Sequence, residues 1–198
     1  KNRKQPIKLT VDSNIQYLVR TELLKFNEIF KTKGSASILM NIHSGEILSF
    51  VSLPDFNLNE RKKIDDKNFI NRVSKGAYEL GSVLKPFTLA AGLDMGIIEP
   101  STEFLNLPKS IKCGGFPIRE YDESIPKNLT AEQILIRSGN IGSVRIAQKI
   151  GGENFKNFLK KIGVIGNVNF DIEEVAYQND FSIGKCKLAT ASFGHGIT

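Results

Sequence analysis

Ser82 and Lys85 stand three residues apart at the mouth of an apolar run, in Tyr78-Glu79-Leu80-Gly81-Ser82-Val83-Leu84-Lys85-Pro86-Phe87-Thr88. The run goes on through Leu89, Ala90, Ala91, Leu93 and Met95, so it reads as a buried helix. Positions i and i+3 of a helix share a face and lie close enough to touch. A hydroxyl and an amine so placed can act as nucleophile and base. The same spacing recurs at Ser124 and Lys127 and at Ser182 and Lys185. The second pair carries Pro126 before its lysine and the third contains Gly184. Neither opens a helix with an apolar face, so only the first has the setting that the chemistry requires.

Composition limits what surrounds this element. A chain of 198 residues, 40% hydrophobic and 24% charged, suits one globular domain or part of one. It holds no apolar run near the length of a membrane span, and its start does not read as a signal peptide. Lys1-Asn2-Arg3-Lys4-Gln5-Pro6 reads as linker. The net charge is +6, with the lysines scattered. The strongest basic cluster, Arg61-Lys62-Lys63, runs at once into Asp65-Asp66. That is a solvated surface, with at most a weak attraction to an anionic membrane, and not the basic stripe of a nucleic-acid binder. Cys113 and Cys186 are too few and too far apart in sequence for a disulfide framework or a zinc site, and their redox state stays open. His43 and His195 are isolated, so no metal site is expected. No cofactor is expected either.

Taken in order, Leu9-Thr10-Val11 reads as a short strand, and Asp12 or Ser13 as the cap of a helix. Ile15, Leu18, Val19, Leu23, Phe26 and Phe30 recur at helical spacing, which predicts a core helix stopped at Gly34. Ser37–Ile42 and Glu46–Val51 flank the turn residues His43-Ser44-Gly45 and predict a β-hairpin. Residues 54–66 read as loop. Beyond the central helix, Gly96, Pro100, Pro108, Gly114, Gly115 and Pro117 mark a long irregular or short-stranded connection. Thr130-Ala131-Glu132-Gln133 is a capping box that opens a short helix. That helix stops at Ser138-Gly139-Asn140. A second carries Ile141, Val144, Ala147 and Ile150 to Gly151-Gly152, and a third carries Phe155, Phe158, Leu159 and Ile162 to Gly163. Residues 166–178 read as loops with strand pieces, and 188–198 as small-residue and glycine rich. One lead strand and one hairpin make a thin sheet for so many buried helices, so further strands are expected beyond Thr198.

Two motifs in order say more than either alone: Ser82-x-x-Lys85 on a buried helix, then Ser138-x-Asn140 on a joint between helices. This pair, with Leu9-Thr10-Val11-Asp12-Ser13-Asn14-Ile15-Gln16, Asn71-Arg72, Gly81-Ser82-Val83-Leu84-Lys85-Pro86-Phe87-Thr88, Leu129-Thr130-Ala131-Glu132 and Ser192-Phe193-Gly194-His195-Gly196-Ile197-Thr198, resembles the class B penicillin-binding proteins. These are peptidoglycan D,D-transpeptidases, and the septum or cell-division type is the most similar. The resemblance covers essentially the whole chain.

The resemblance implies an α+β fold of two to three layers, β-lactamase/transpeptidase-like. Helices would pack on an antiparallel sheet that is incomplete here. It implies a linker over residues 1–8 and the N-terminal part of a transpeptidase domain over 9–198. Ser82 would attack the penultimate D-alanine carbonyl of a peptidoglycan stem peptide, and β-lactam antibiotics would acylate the same serine. Lys85 would take the serine proton, Ser138 would relay it, and Asn140 would hold Lys85 and contact the substrate amide. The Ser82 backbone N–H would supply half of an oxyanion hole. Partners implied are a glycosyltransferase and other division proteins, with no nucleic acid. The implied location is the periplasmic face of the inner membrane. Two departures stand out. Leu80 replaces the family's proline before Gly81, and the third motif, Lys-Thr/Ser-Gly, is absent. Two alternatives follow: a non-catalytic binding module of the same fold, or a serine β-lactamase using Glu173 or Glu174 for deacylation.

Overall fold

The computed structural model describes residues 6–57, 59, 70–166 and 184–197. The chain divides into two compact units, Lys1–Ala77 with Phe170–Ala176, and Tyr78–Asn169 with Tyr177–Thr198.

The first unit is a helix on a hairpin. Strands β1 (Ser35–Met40) and β2 (Ile47–Leu53) pair antiparallel around the predicted turn, with an irregularity between Leu39 and Met40. Helix α1 (Ser13–Phe30) starts where Asp12 accepts the N–H groups of Asn14 and Ile15. The lead strand expected at residues 9–11 is not a ladder. It is extended chain tied to β2 by Thr10 Oγ1 on Ile47 O (2.7 Å) and Asp12 N on Leu48 O (2.9 Å). Gln16 then stands in for a neighbouring strand. Its amide donates to Phe50 O at 2.9 Å and accepts from Phe50 N at 2.8 Å.

Two expectations for α1 need correction. It ends at Phe30, where Lys31 turns left-handed (φ 52°), and not at Gly34. Nor is it a core helix: none of its residues is buried, and Leu18, Phe26 and Phe30 are 59%, 46% and 64% exposed. Periodicity reports which face is apolar, but not what covers that face.

Among the described residues, the second unit is a cluster of helices edged by two small sheets. Its elements are α2 (Lys85–Asp94), β3 (Glu103–Phe104), β4 (Ser110–Cys113), β5 (Phe116–Arg119), β6 (Leu129–Thr130), α3 (Ala131–Ile136), α4 (Asn140–Ile150), α5 (Gly152–Lys161) and α6 (Lys185–Ala191). Strand β3 pairs with β6 and β4 with β5, both antiparallel, which are the short-stranded pieces expected in this connection. Helix α4 is the hub. Ile141, Val144, Ala147 and Ile150 are buried, and α2, α3, α5 and α6 all pack on it. Gly142 permits the approach of α3, because a Cβ there would lie 2.5 Å from Ile134. The capping box on α3 forms in full.

Helix α6 starts at Lys185 and buries Leu188, Ala189 and Ala191, which corrects the expectation that the Ser182–Lys185 stretch opens no helix with an apolar face. It runs into the stretch from 188 read as small-residue and glycine rich. It has seven residues and no side-chain N-cap, so it left no local signal. Cys113 and Cys186, 73 residues apart, form a disulfide that joins β4 to α6. Most of residues 166–178, read as loops and strand pieces, lies outside the described residues.

Candidate active site

Ser82 lies in a single 3-10 turn, Gly81–Leu84, and α2 proper begins at Lys85. Pro86 is the local cause. It has no N–H, so the α-helical bond back to the Ser82 carbonyl cannot form. The Lys85 N–H takes that carbonyl instead, one residue short, which is 3-10 geometry. The expectation that Ser82 opens the α-helix itself is corrected by this turn. In a 3-10 turn residues i and i+3 eclipse, so Ser82 and Lys85 stay on one face.

The side chain of Ser82 is exposed and its hydroxyl bonds to no described residue. Lys85 is 3% exposed. Its Nζ does not reach back to Ser82. It donates to Ser138 Oγ at 2.9 Å and to the Ser138 carbonyl. Burial pushes the Lys85 ammonium pKa below the ordinary lysine value, and the Glu120 carboxylate pulls it partly back.

Ser138 is placed by the end of α3. Its N–H bonds to Leu135 O (3.0 Å) and the Gly139 N–H to Ile134 O (2.9 Å). These two bonds make a Schellman stop, with Ser138 at the left-handed position (φ 52°) that glycine normally takes. The strain is of order 1 kcal/mol for a residue with a Cβ. What the serine adds over glycine is the hydroxyl that accepts from Lys85.

Asn140 opens α4. The residue before it, Gly139, has no side chain to cap with. The Glu120 carboxylate fills that role, accepting Asn140 N at 2.6 Å and Ile141 N at 2.9 Å. The Asn140 amide donates to Arg119 O at 2.9 Å. The expectation that Asn140 holds Lys85 is therefore corrected: Ser138 holds the lysine, and Asn140 is anchored to β5. Glu120 was missed by sequence reasoning. The one available signal was an N-cap glycine, which implies an acceptor from elsewhere without naming it. A cleft of about 450 Å³ opens beside Asn140, with Arg119, Thr190, Phe193, His195 and the disulfide on its walls. Of the other serine–lysine pairs, Ser124 folds back on Asp122, and Ser182 lies outside the described residues.

Residues 35–198 match the model of the penicillin-binding protein transpeptidase domain. The chain is 30% identical to the probable peptidoglycan D,D-transpeptidase FtsI of Caulobacter vibrioides, over 97% of this chain and 32% of that protein. It is 29% identical to the peptidoglycan D,D-transpeptidase FtsI of Buchnera aphidicola subsp. Schizaphis graminum, over 100% of this chain and 34% of that protein. Among solved structures, the apo TP domain of Burkholderia pseudomallei penicillin-binding protein 3 superposes with a TM-score of 0.80 at 28% identity, covering 100% of this chain and 55% of that one. The chain thus spans about a third of the length of the curated relatives it matches, and shares the α+β transpeptidase fold of the solved ones. With residues 35–198 matching that domain, the chain belongs to the penicillin-binding protein transpeptidase family.

Proposed function

We propose that this chain carries the nucleophile half of a peptidoglycan D,D-transpeptidase of the cell-division type, with Ser82 as nucleophile. The observation that carries the reading is the buried Lys85 amine, one turn from an exposed serine and 2.9 Å from a second hydroxyl, Ser138 Oγ. Neutral Lys85 takes the proton of Ser82 as Oγ attacks the penultimate D-alanine carbonyl of a stem peptide. The carbon–nitrogen bond to the terminal D-alanine breaks, and its amine leaves with a proton passed through Ser138. The acyl group then moves from Ser82 to an amine of a neighbouring strand. A β-lactam follows the same first step and stays on Ser82. Asn140, fixed to Arg119 O, faces the cleft where the donor peptide would lie. Residues 9–198 are taken as transpeptidase domain, with 1–8 as linker.

The disulfide supports a location on the periplasmic face of the inner membrane, since such bonds persist in oxidising compartments. Among the described residues no helix is long and apolar enough to cross a membrane. A glycosyltransferase and other division proteins are the partners this reading implies.

The test is covalent labelling of the protein expressed from its complete gene with a fluorescent penicillin, followed by peptide mapping. The expected adduct is on Ser82 and is lost in Ser82→Ala. Label on another residue, or none, would overturn the reading. Rapid nitrocefin turnover would move the assignment to a β-lactamase.

A second expected result concerns Ser138→Gly. Relief of the left-handed strain offsets the loss of one hydrogen bond, each being of order 1 kcal/mol. The variant should therefore melt near the wild type while its penicillin acylation falls by about 100-fold. Acylation at the wild-type rate would remove Ser138 from the proton path.

A further inference from the structure

We infer that Glu79 is a positioning residue for Ser82, acting through the turn that follows α6. The inference rests on the transpeptidase reading above. Three contacts join the approach to Ser82 to this turn. Glu79 Oε2 lies 2.7 Å from His195 Nδ1, and a carboxylate only accepts, so the ring presents its N–H there. Glu79 Oε1 accepts the Gly196 N–H at 3.2 Å. The Gly81 N–H donates to Gly194 O at 2.9 Å. Residues 79–81 are thereby fastened along 194–196, and the next residue in the chain is Ser82.

The two backbones touch directly. Gly81 and Gly194 are both left-handed (φ 58° and 80°), and a Cβ on Gly194 would fall 2.1 Å from Gly81 O. Nothing compressible lies between them, so the position of the turn dictates the path of the Gly81–Ser82 peptide. That peptide carries the Ser82 N–H, the group aimed at the developing oxyanion in the proposed reaction. On the far side, the buried Thr88 hydroxyl donates to Ser192 O at 2.7 Å, so the turn is also fixed to α2. Glu79 therefore links the chain entering the nucleophile with a turn already anchored beneath it.

This role differs from holding the fold together. The Glu79 and His195 side chains are 49% and 60% exposed, and a pair so wet adds little to global stability. Removing Glu79 should mis-aim a catalytic donor without unfolding the domain. The loss of one oxyanion donor costs about 100- to 1000-fold in rate, and a donor that is retained but misdirected loses part of that.

The experiment uses the protein expressed from its complete gene. Time-resolved binding of a fluorescent penicillin separates the non-covalent dissociation constant from the acylation rate constant, and a melting curve accompanies each variant. Glu79→Ala should lower the acylation constant by about 10-fold or more. Its dissociation constant should stay within about 2-fold and its melting point within about 3 °C. Glu79→Gln keeps one accepting oxygen for the Gly196 N–H and should restore an intermediate rate. Acylation of Glu79→Ala at the wild-type rate overturns the inference. If Glu79→Ala does not fold, Glu79→Gln decides: an intermediate rate with a wild-type melt supports the inference. A wild-type rate, a rate falling only in step with the melting point, or a failure to fold overturns it. A wild-type protein not labelled at Ser82 removes the transpeptidase reading itself, whereas failure of the inference alone leaves the wild type labelled and the variants alike.

Discussion

Lys85→Met should fold normally and acylate about 1000-fold more slowly than the wild type, the middle of the range for loss of a general base. The lysine is nearly fully buried and its Nζ is committed to Ser138. A charged ammonium there is penalised by burial, which is why its pKa lies below the ordinary lysine value. Methionine has similar length and no such penalty, so the variant should melt at or above the wild type near neutral pH. The sign of the pH dependence follows from the same shift. Below the folded-state pKa both folded and unfolded chains hold the proton, and the burial penalty is felt in full. Between that value and the unfolded value near 10.5, the unfolded chain binds a proton that the folded chain does not, so wild-type stability rises with pH. Lys85→Met should lack this rise. The acylation rate should climb with pH through a midpoint below 10.5, as the neutral amine becomes populated. Urea titrations at pH 7 and pH 9.5, with labelling rates across the same range, check both parts. A methionine variant labelled at the wild-type rate would show that another group takes the proton.

What was legible in the sequence divides by range. The Thr130 capping box, the Asp12 cap and the turn between β1 and β2 have donor and acceptor within a few residues, so composition suffices to find them. The pairing of Ser82 with Lys85 was legible as a spacing. What the Lys85 amine does was not, because its partner lies 53 residues away at Ser138. The Schellman stop that aims Ser138 was hidden by chemistry: a serine occupies the place where a glycine would have announced it. Glu120 and the bond between Cys113 and Cys186 are tertiary facts with no periodic signature. For α1 the apolar stripe was read correctly, but its burial depends on what packs over it.

Glu120→Gln should change three measurements at once, because the carboxylate serves both the backbone and the charge balance of the site. It accepts two N–H groups at the start of α4, where an anion is favoured by the helix dipole. Glutamine offers one acceptor and turns an amine toward the other donor. The expected loss is about 1–2 kcal/mol of stability, the size of a removed N-cap. The same contacts seat Asn140 and, through Gly139, the strained Ser138, so the maximal acylation rate should fall by about 10- to 100-fold. The third effect has a sign that a merely loosened site would not produce. The Glu120 charge favours the protonated form of Lys85, so without it the lysine pKa falls further below the ordinary value. The midpoint of the acylation rate against pH should therefore move to lower pH in Glu120→Gln, and likewise in Glu120→Ala, where the stability loss is larger. A midpoint that stays in place or moves upward would break the electrostatic link between Glu120 and Lys85. An unchanged maximal rate would reduce Glu120 to a helix cap.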